Sequence, residues 1–273
     1  MKKQKKYFLN AIDLVAFNME LKKILSYPLE FWANTLGLIL VNILIPYCIW
    51  QAIFKARNIT EMYNLSFNQF IFYFLCCYFV SASVLGAMSK GSISQEIYQG
   101  NINKFIIYPI QYLRFKFFNS LAYSFIILIE LIITICVHKL IFGNQITILA
   151  FIEFLPTLIL STTIGFLLVA NLELLSFWVD SVWNLQVILR LFIQMGGGLF
   201  LPLFLMSESI RHFLYFTPFP YLIYYPIGIL TKFYSVIPLH HLLIIQLFWI
   251  GFLLLLAQSL WKKGLKQYSG IGI

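Results

Sequence analysis

Glu130 sits inside the run SFIILIELIITICV, where a carboxyl group must find a partner, meet water or give up its charge. No second acid stands near it inside the same run, so a hydrogen-bonded structural role is expected ahead of proton coupling. Gln186, Arg190 and Gln194 recur every four residues and therefore share one face of a helix. An arginine at the centre of a membrane helix costs about 2.5–3.5 kcal/mol on insertion scales. Arg190 then has two readings: part of a polar stripe along a path, or an interfacial anchor that snorkels or pairs with Asp180. Glu153 lies nearer the end of its apolar run and needs less explanation. Thr157, Ser161 and Gly165 are small, four apart and suited to close helix packing.

Soluble-enzyme chemistry is not legible. His240 and His241 are adjacent, so on a helix they are expected to point apart and make a poor ligand pair. Cys48, Cys76, Cys77 and Cys136 all lie within apolar runs and read as packing thiols, not as a disulfide or metal framework. No triad or paired acids stand out, no metal site or cofactor is expected on this chain, and no G-x-x-x-x-G-K-[ST] phosphate loop occurs.

The stretch SKGSISQEIYQGNINKFIIYPI, Ser89 to Ile110, is a polar island between apolar runs. Gly91 and Gly100 bracket SISQEIYQ, long enough for about two helical turns. Ser92 or Ser94 can cap its start, and Glu96 lies where the helix dipole favours a carboxylate. A short helix held outside the membrane offers a grip to a cytoplasmic partner; an ordinary solvated loop is the alternative.

The elements that must position these groups follow from composition. Of 273 residues 61% are apolar and 11% charged, against about 25% charged in a soluble domain. Mean hydropathy is +0.86, and apolar runs of twenty or more residues recur. The expected fold is an all-α integral membrane protein with six spans at 29–54, 67–88, 117–137, 146–172, 186–206 and 239–261. Residues 10–27 read as an amphipathic interfacial helix, with Leu14, Phe17, Leu21, Ile24 and Leu25 opposite Asp13, Glu20, Lys22 and Lys23. Residues 92–100 read as the extramembrane helix. The aromatic, proline-broken segment 207–238 reads as an outer piece that dips into the membrane and returns.

The net charge of +9 sits between and beside the apolar runs, so it reports orientation and not nucleic-acid binding. Placing both termini in the cytoplasm puts fourteen of the nineteen Lys and Arg residues inside, and the basic MKKQKKYFLN start reads as an uncleaved tail. No internal repeat relates the two halves, which weighs against carriers built from duplicated halves.

The stretch ISQEIYQGNINKFIIYPI resembles the loop between spans two and three of permeases of the ABC type-2 export family, through Gly91, Ile93, Glu96, Gly100, Asn101, Ile102, Pro109 and Ile110. PLFLMSESIRHFLYFTPFPYLIYYPIGIL is similar to the family's outer segment, and LWKKGLKQYSGIG to its C-terminal tail. The resemblance implies the membrane subunit of an ATP-driven exporter. Its ATPase would be a separate chain in two copies carrying ATP and Mg, and a second permease, homologous or identical, would complete the path in a cell membrane. It assigns ATPase coupling to Gly91, Ile93, Ser94, Gln95, Glu96, Ile97, Gly100 and Asn101, and an outer gate to Pro202, Pro218, Phe219, Pro220 and Tyr221. Because spans one and five approach the subunit interface in that family, it directs Asn34, Thr35, Asn42, Gln186, Arg190 and Gln194 to the translocation path. Cargo would be a lipid, lipid-linked glycan or amphiphilic compound. The competing reading from the residues alone is an ion-coupled carrier or channel using Glu130 and Arg190 without ATP; a scaffold that moves nothing is a third.

Overall fold

A computed structural model describes residues 2–86, 93–107, 111–143, 146–234 and 236–268. Eleven helices appear in chain order among them: α1 (Lys2–Leu25), α2 (Pro28–Arg57), α3 (Phe67–Leu85), α4 (Ile93–Tyr98), α5 (Asn103–Ile107), α6 (Tyr112–Phe142), α7 (Ile148–Glu173), α8 (Trp183–Gly196), α9 (Glu208–Tyr215), α10 (Tyr224–Thr231) and α11 (Leu239–Gln267). A two-residue hairpin, Glu61–Met62 against Leu65–Ser66, joins α2 to α3. Tyr63 and Asn64 both take positive φ at its turn, the geometry that closes a tight hairpin.

The helix ends follow the local sequence. Pro28 opens α2, and Asn58 closes it in the left-handed conformation. Ser66 and Gln69 form a reciprocal capping box at the start of α3. Gly143, at φ 67°, stops α6, and the Thr147 hydroxyl accepts from Ala150 N–H to start α7. Five helices are long and apolar enough to cross a bilayer: Thr35–Arg57 within α2, then α3, α6, α7 extended to Phe177, and α11.

Within the fifth expected span, 186–206, the helix stops early. Its helix runs only from Trp183 to Gly196, 14 residues or about 21 Å, although the apolar composition continues. Gly198 turns the chain at φ 84°, and a Cβ there would lie 2.8 Å from the Tyr73 hydroxyl. That hydroxyl donates to the Gly198 carbonyl at 3.0 Å, so close approach of α3 ends the helix. The outer segment is broken as expected: α9 and the 219–231 stretch meet at 80°.

The interfacial helix is also revised. It extends back to Lys2, and Asp13, assigned to its wet face, is buried. The reason is α6: α1 packs along it, and Arg114 of α6 forms an ion pair with Asp13. Phe17 meets Phe125 edge-on on the same side, while Leu14 and Leu25 remain exposed.

α7 is the buried centre. It packs on α3, α10 and α11, whereas only 6% of the most apolar stretch of α2 is buried. The Thr157, Ser161, Gly165 stripe does pack helices closely: a Cβ on Gly165 would stand 2.6 Å from both Cγ1 and the carbonyl oxygen of Val84 in α3. Beside it the fully buried Gln246 of α11 donates from Nε2 to the Thr157 carbonyl (3.2 Å), Ser161 Oγ (3.0 Å) and the Tyr221 carbonyl (2.8 Å). Replacing Gly165 with Val wedges α3 from α7 and should cost at least about 1–3 kcal/mol, read as a lower melting temperature in detergent. Gly251→Ala on α11, with nothing within 4 Å of the added carbon, should leave it unchanged or raised.

Candidate coupling surface and membrane cleft

The polar island folds as a compact knob at one end of the bundle. α4 covers Ile93–Tyr98, shorter than the expected 92–100, because a turn at Gly100, φ 71°, sends the chain into α5. The Ile102 N–H returns to the Glu96 carbonyl at 3.2 Å, closing the turn. Ile93, Ser94, Ile97 and Ile102 point inward and are buried, while Gln95, Tyr98, Gln99, Asn101 and Lys104 are exposed. The proposed coupling residues therefore divide into an anchoring set and an outer set. Gly91 lies outside the described residues.

Two acids hold the knob. Glu173, at the end of α7 and 1% exposed, accepts from Ile93 N–H at 2.6 Å, filling the need of an open helix start for an acceptor. Its other oxygen accepts from Gln186 Nε2 at 2.8 Å, which ties the first turns of α8 to the same carboxylate. Glu96 turns back toward the bundle. It receives Lys116 Nζ at 2.8 Å and the Tyr112 hydroxyl at 2.6 Å, both from the first turns of α6. Both charged groups are largely shielded, with side chains 10% and 20% exposed, so this pair resists salt more than a surface pair would.

Aromatic rings complete the seat. Tyr112 stacks on Trp261 of α11 at 5.1 Å and 16°, and Phe177 meets both Trp261 and Tyr268 edge-on. The Tyr98 hydroxyl donates to the Val179 carbonyl at 3.0 Å. Burial first, then the nearby Asp180 and Glu173 carboxylates, raise its pKa above the ordinary tyrosine value, so it stays a donor at neutral pH. These contacts place α1, the knob, the end of α7 and the end of α11 at one end of the bundle.

The expected polar stripe on α8 divides. Gln186 is taken by Glu173, whereas Arg190 and Gln194 line an open cleft of about 180 Å³ with Asn42 of α2, Tyr78 and Ser81 of α3, and Tyr123 of α6. Arg190 is exposed and, among the described residues, forms no ion pair, so of its readings the one that pairs it with Asp180 is not formed. Asn42 donates to the Leu38 carbonyl of its own helix at 2.8 Å. Thr35 is buried away from this cleft lining and faces Glu130. The side chain of Asn34 lies outside the described residues.

Glu130, expected in a hydrogen-bonded structural role, faces the Thr35 side chain of α2. It is 4% exposed, and neither carboxyl oxygen has a partner at full hydrogen-bond geometry among the described residues. Glu153 does have one, accepting from Lys232 Nζ at 2.8 Å. His240 and His241 do not point apart as expected: their ring centroids lie 4.3 Å apart. Among the described residues, no group of three His, Cys, Asp or Glu is placed to hold a metal.

At the far end the residues that the resemblance directs to an outer gate gather into a packed layer. Pro202, Pro218, Pro220 and Tyr221 are buried. Phe219 stacks on Phe192 of α8 at 6.0 Å and 12°, and Tyr221 donates to the Tyr215 carbonyl at 2.8 Å while Gln246 and Ser161 hold its own carbonyl. Sequence reading missed Glu173, Lys116 and Gln246 as anchors. Their signal, single polar residues in or beside apolar runs, was present, but their partners lie 13 to 89 positions away.

Glu173→Ala removes acceptors from a buried N–H and a buried amide. It should destabilise by about 1–3 kcal/mol per orphaned group, read as a fall in detergent melting temperature. Glu173→Gln retains one acceptor oxygen and should fall less; equal melting of all three proteins would contradict the anchoring role.

Comparison with curated proteins and with solved structures gave no match. A family model described as ABC-2 family transporter protein matches residues 40–272, from the first long helix through the tail. That span exceeds half of the chain and holds the knob, the cleft and the outer layer together; the chain belongs to the ABC-2 family of transporter proteins.

Proposed function

We propose that this chain is the membrane subunit of an ATP-driven exporter, worked from the cytosol by a separate ATPase that grips the knob. The carrying observation is the division of labour within α4 and the turn after it. One face is locked to α6, α7 and α8 through Glu96 and Glu173, and the other presents Gln95, Tyr98, Gln99, Asn101 and Lys104 to solvent. A helix anchored on one side and open on the other transmits a push as displacement of the bundle. Family membership supports an ATPase partner.

The knob end is the cytosolic end in this reading, because the inward excess of Lys and Arg then falls on its side. α8 with the segment after it makes the fifth of six crossings, and both termini lie in the cytosol of a cell membrane. ATP and Mg sit on the ATPase, expected in two copies. A second permease, homologous or identical, covers the nearly bare α2 and the exposed apolar face of α8 away from the cleft they share. Cargo is a lipid, a lipid-linked glycan or another amphiphile, passing between the α2–α8 cleft and the aromatic outer layer.

A buried carboxyl group in α6, Glu130, keeps an ion-coupled carrier in view. That rival requires transport by the purified chain under an ion gradient with no ATPase present. Its absence, with turnover restored by ATPase and ATP, removes the rival.

Bulky replacement of outward residues tests the grip without touching the anchors. Gln99→Trp with Lys104→Trp should reduce co-purification with the ATPase, and cargo-dependent ATP turnover, by about tenfold or more (a loss of about 1.4 kcal/mol or more). The melting temperature of the permease should not change, since both side chains are exposed. An intact complex with full turnover would overturn the assignment.

A further inference from the structure

We infer that the α2–α3–α8 cleft is a binding site for the anionic headgroup of an amphiphile, with Arg190 as its charge partner. The inference deepens the exporter reading by naming a cargo class, and rests on it only for calling the bound molecule cargo.

Arg190 stands within an otherwise apolar stretch, VILRLFI, and is exposed in the bundle. Among the described residues no acid forms an ion pair with it. Glu173 holds Ile93 and Gln186, Glu153 holds Lys232, Asp180 lies in the exposed turn before α8, and the buried Glu130, which faces Thr35, reaches the cleft only through its neighbours Tyr78 and Tyr123 and is not itself among the lining residues. A guanidinium held at membrane depth without a protein carboxylate needs a counter-charge from outside the chain. Its planar fork of donors matches phosphate or carboxylate oxygens better than any neutral group.

The walls fit that occupant. Gln194 and Asn42 supply amides, Ser81 a hydroxyl and Tyr78 a phenol, so oxygens beyond those on Arg190 find further donors. A volume of about 180 Å³ suits a headgroup and several waters but not a whole lipid. The remainder of the molecule has a place to lie: Leu38 and Ile45 on α2, and Val187 and Leu191 on α8, are exposed apolar side chains flanking the polar residues of each helix. Arg190 is one helical turn beyond Gln186, which is bonded at the base of the knob. The cleft therefore belongs to the knob half of the bundle, where a headgroup would enter from the inner leaflet in the proposed orientation.

Binding to the purified permease alone, in phosphatidylcholine nanodiscs, separates this inference from the ATPase question. Dodecyl phosphate is the probe, inorganic phosphate the chain-free arm, and dodecyltrimethylammonium the cationic arm, each followed by native mass spectrometry. Saturable binding of dodecyl phosphate is expected, with both other arms weaker by about tenfold or more, and Arg190→Gln should weaken dodecyl phosphate by about tenfold or more. Arg190→Lys should fall between, because it keeps the charge and loses the fork. Gln194→Leu provides a second, smaller loss should Arg190→Gln fail to fold. Equal binding by the Arg190 variants and the original chain, or no preference over the cation, would overturn the inference. Equal affinity for inorganic phosphate would overturn its amphiphile half. Dissociation of a permease pair in Arg190→Gln with probe binding unchanged would assign Arg190 to a chain–chain contact instead. Failure to assemble with an ATPase, by contrast, would defeat the exporter reading and leave this result standing.

Discussion

One buried carboxylate organises the end of the bundle on which the function depends. Glu173 closes the longest-buried helix, α7, and holds both the first N–H of the knob helix and the Gln186 amide of α8. A charge so deeply buried persists only where donors meet it, and removing either donor leaves it uncompensated. The knob and α8 are consequently not independent pieces. Because α8 also carries Arg190 and Gln194 into the cleft, and stacks Phe192 on Phe219 of the outer layer, a single helix joins the three regions.

The distribution of polar groups inside the bundle has the same logic. Gln246 is fully buried but meets three acceptors, so it fastens α11 to α7 and to the outer layer at Tyr221. Glu153 is neutralised by Lys232 near the opposite end. Not every group is satisfied: several buried polar atoms, Gln246 Oε1 and the Glu130 oxygens among them, lack a partner at full hydrogen-bond geometry among the described residues, and Arg190 stands exposed in a cleft. Departures from full satisfaction are where a membrane protein is expected to do work.

What was legible in the sequence was whatever depends on composition over a turn or more. Apolar runs of bilayer length show themselves, as does a Gly-bracketed polar island, and Gly100 indeed takes the left-handed conformation that ends α4. Periodicity placed Gln186, Arg190 and Gln194 on one face, but a shared face does not fix neighbours, and Gln186 was claimed by an acid from another helix. Asp13 misled in the same way, since helical spacing cannot see Arg114, 101 positions along the chain. The length of α8 was overestimated because hydropathy continues past Gly196, whereas the stop is steric, set by Tyr73 against Gly198.

The central claim is that the knob and α8 move as one body. Spin labels at Gln99, on the outer face of the knob, and at Asn184, exposed in the first turn of α8, report it directly in the complex with its ATPase. A single narrow distance that keeps its position and width when ATP is added is the predicted result. A broad distribution, or labels that separate on ATP addition while the rest of the complex stays intact, would contradict the account.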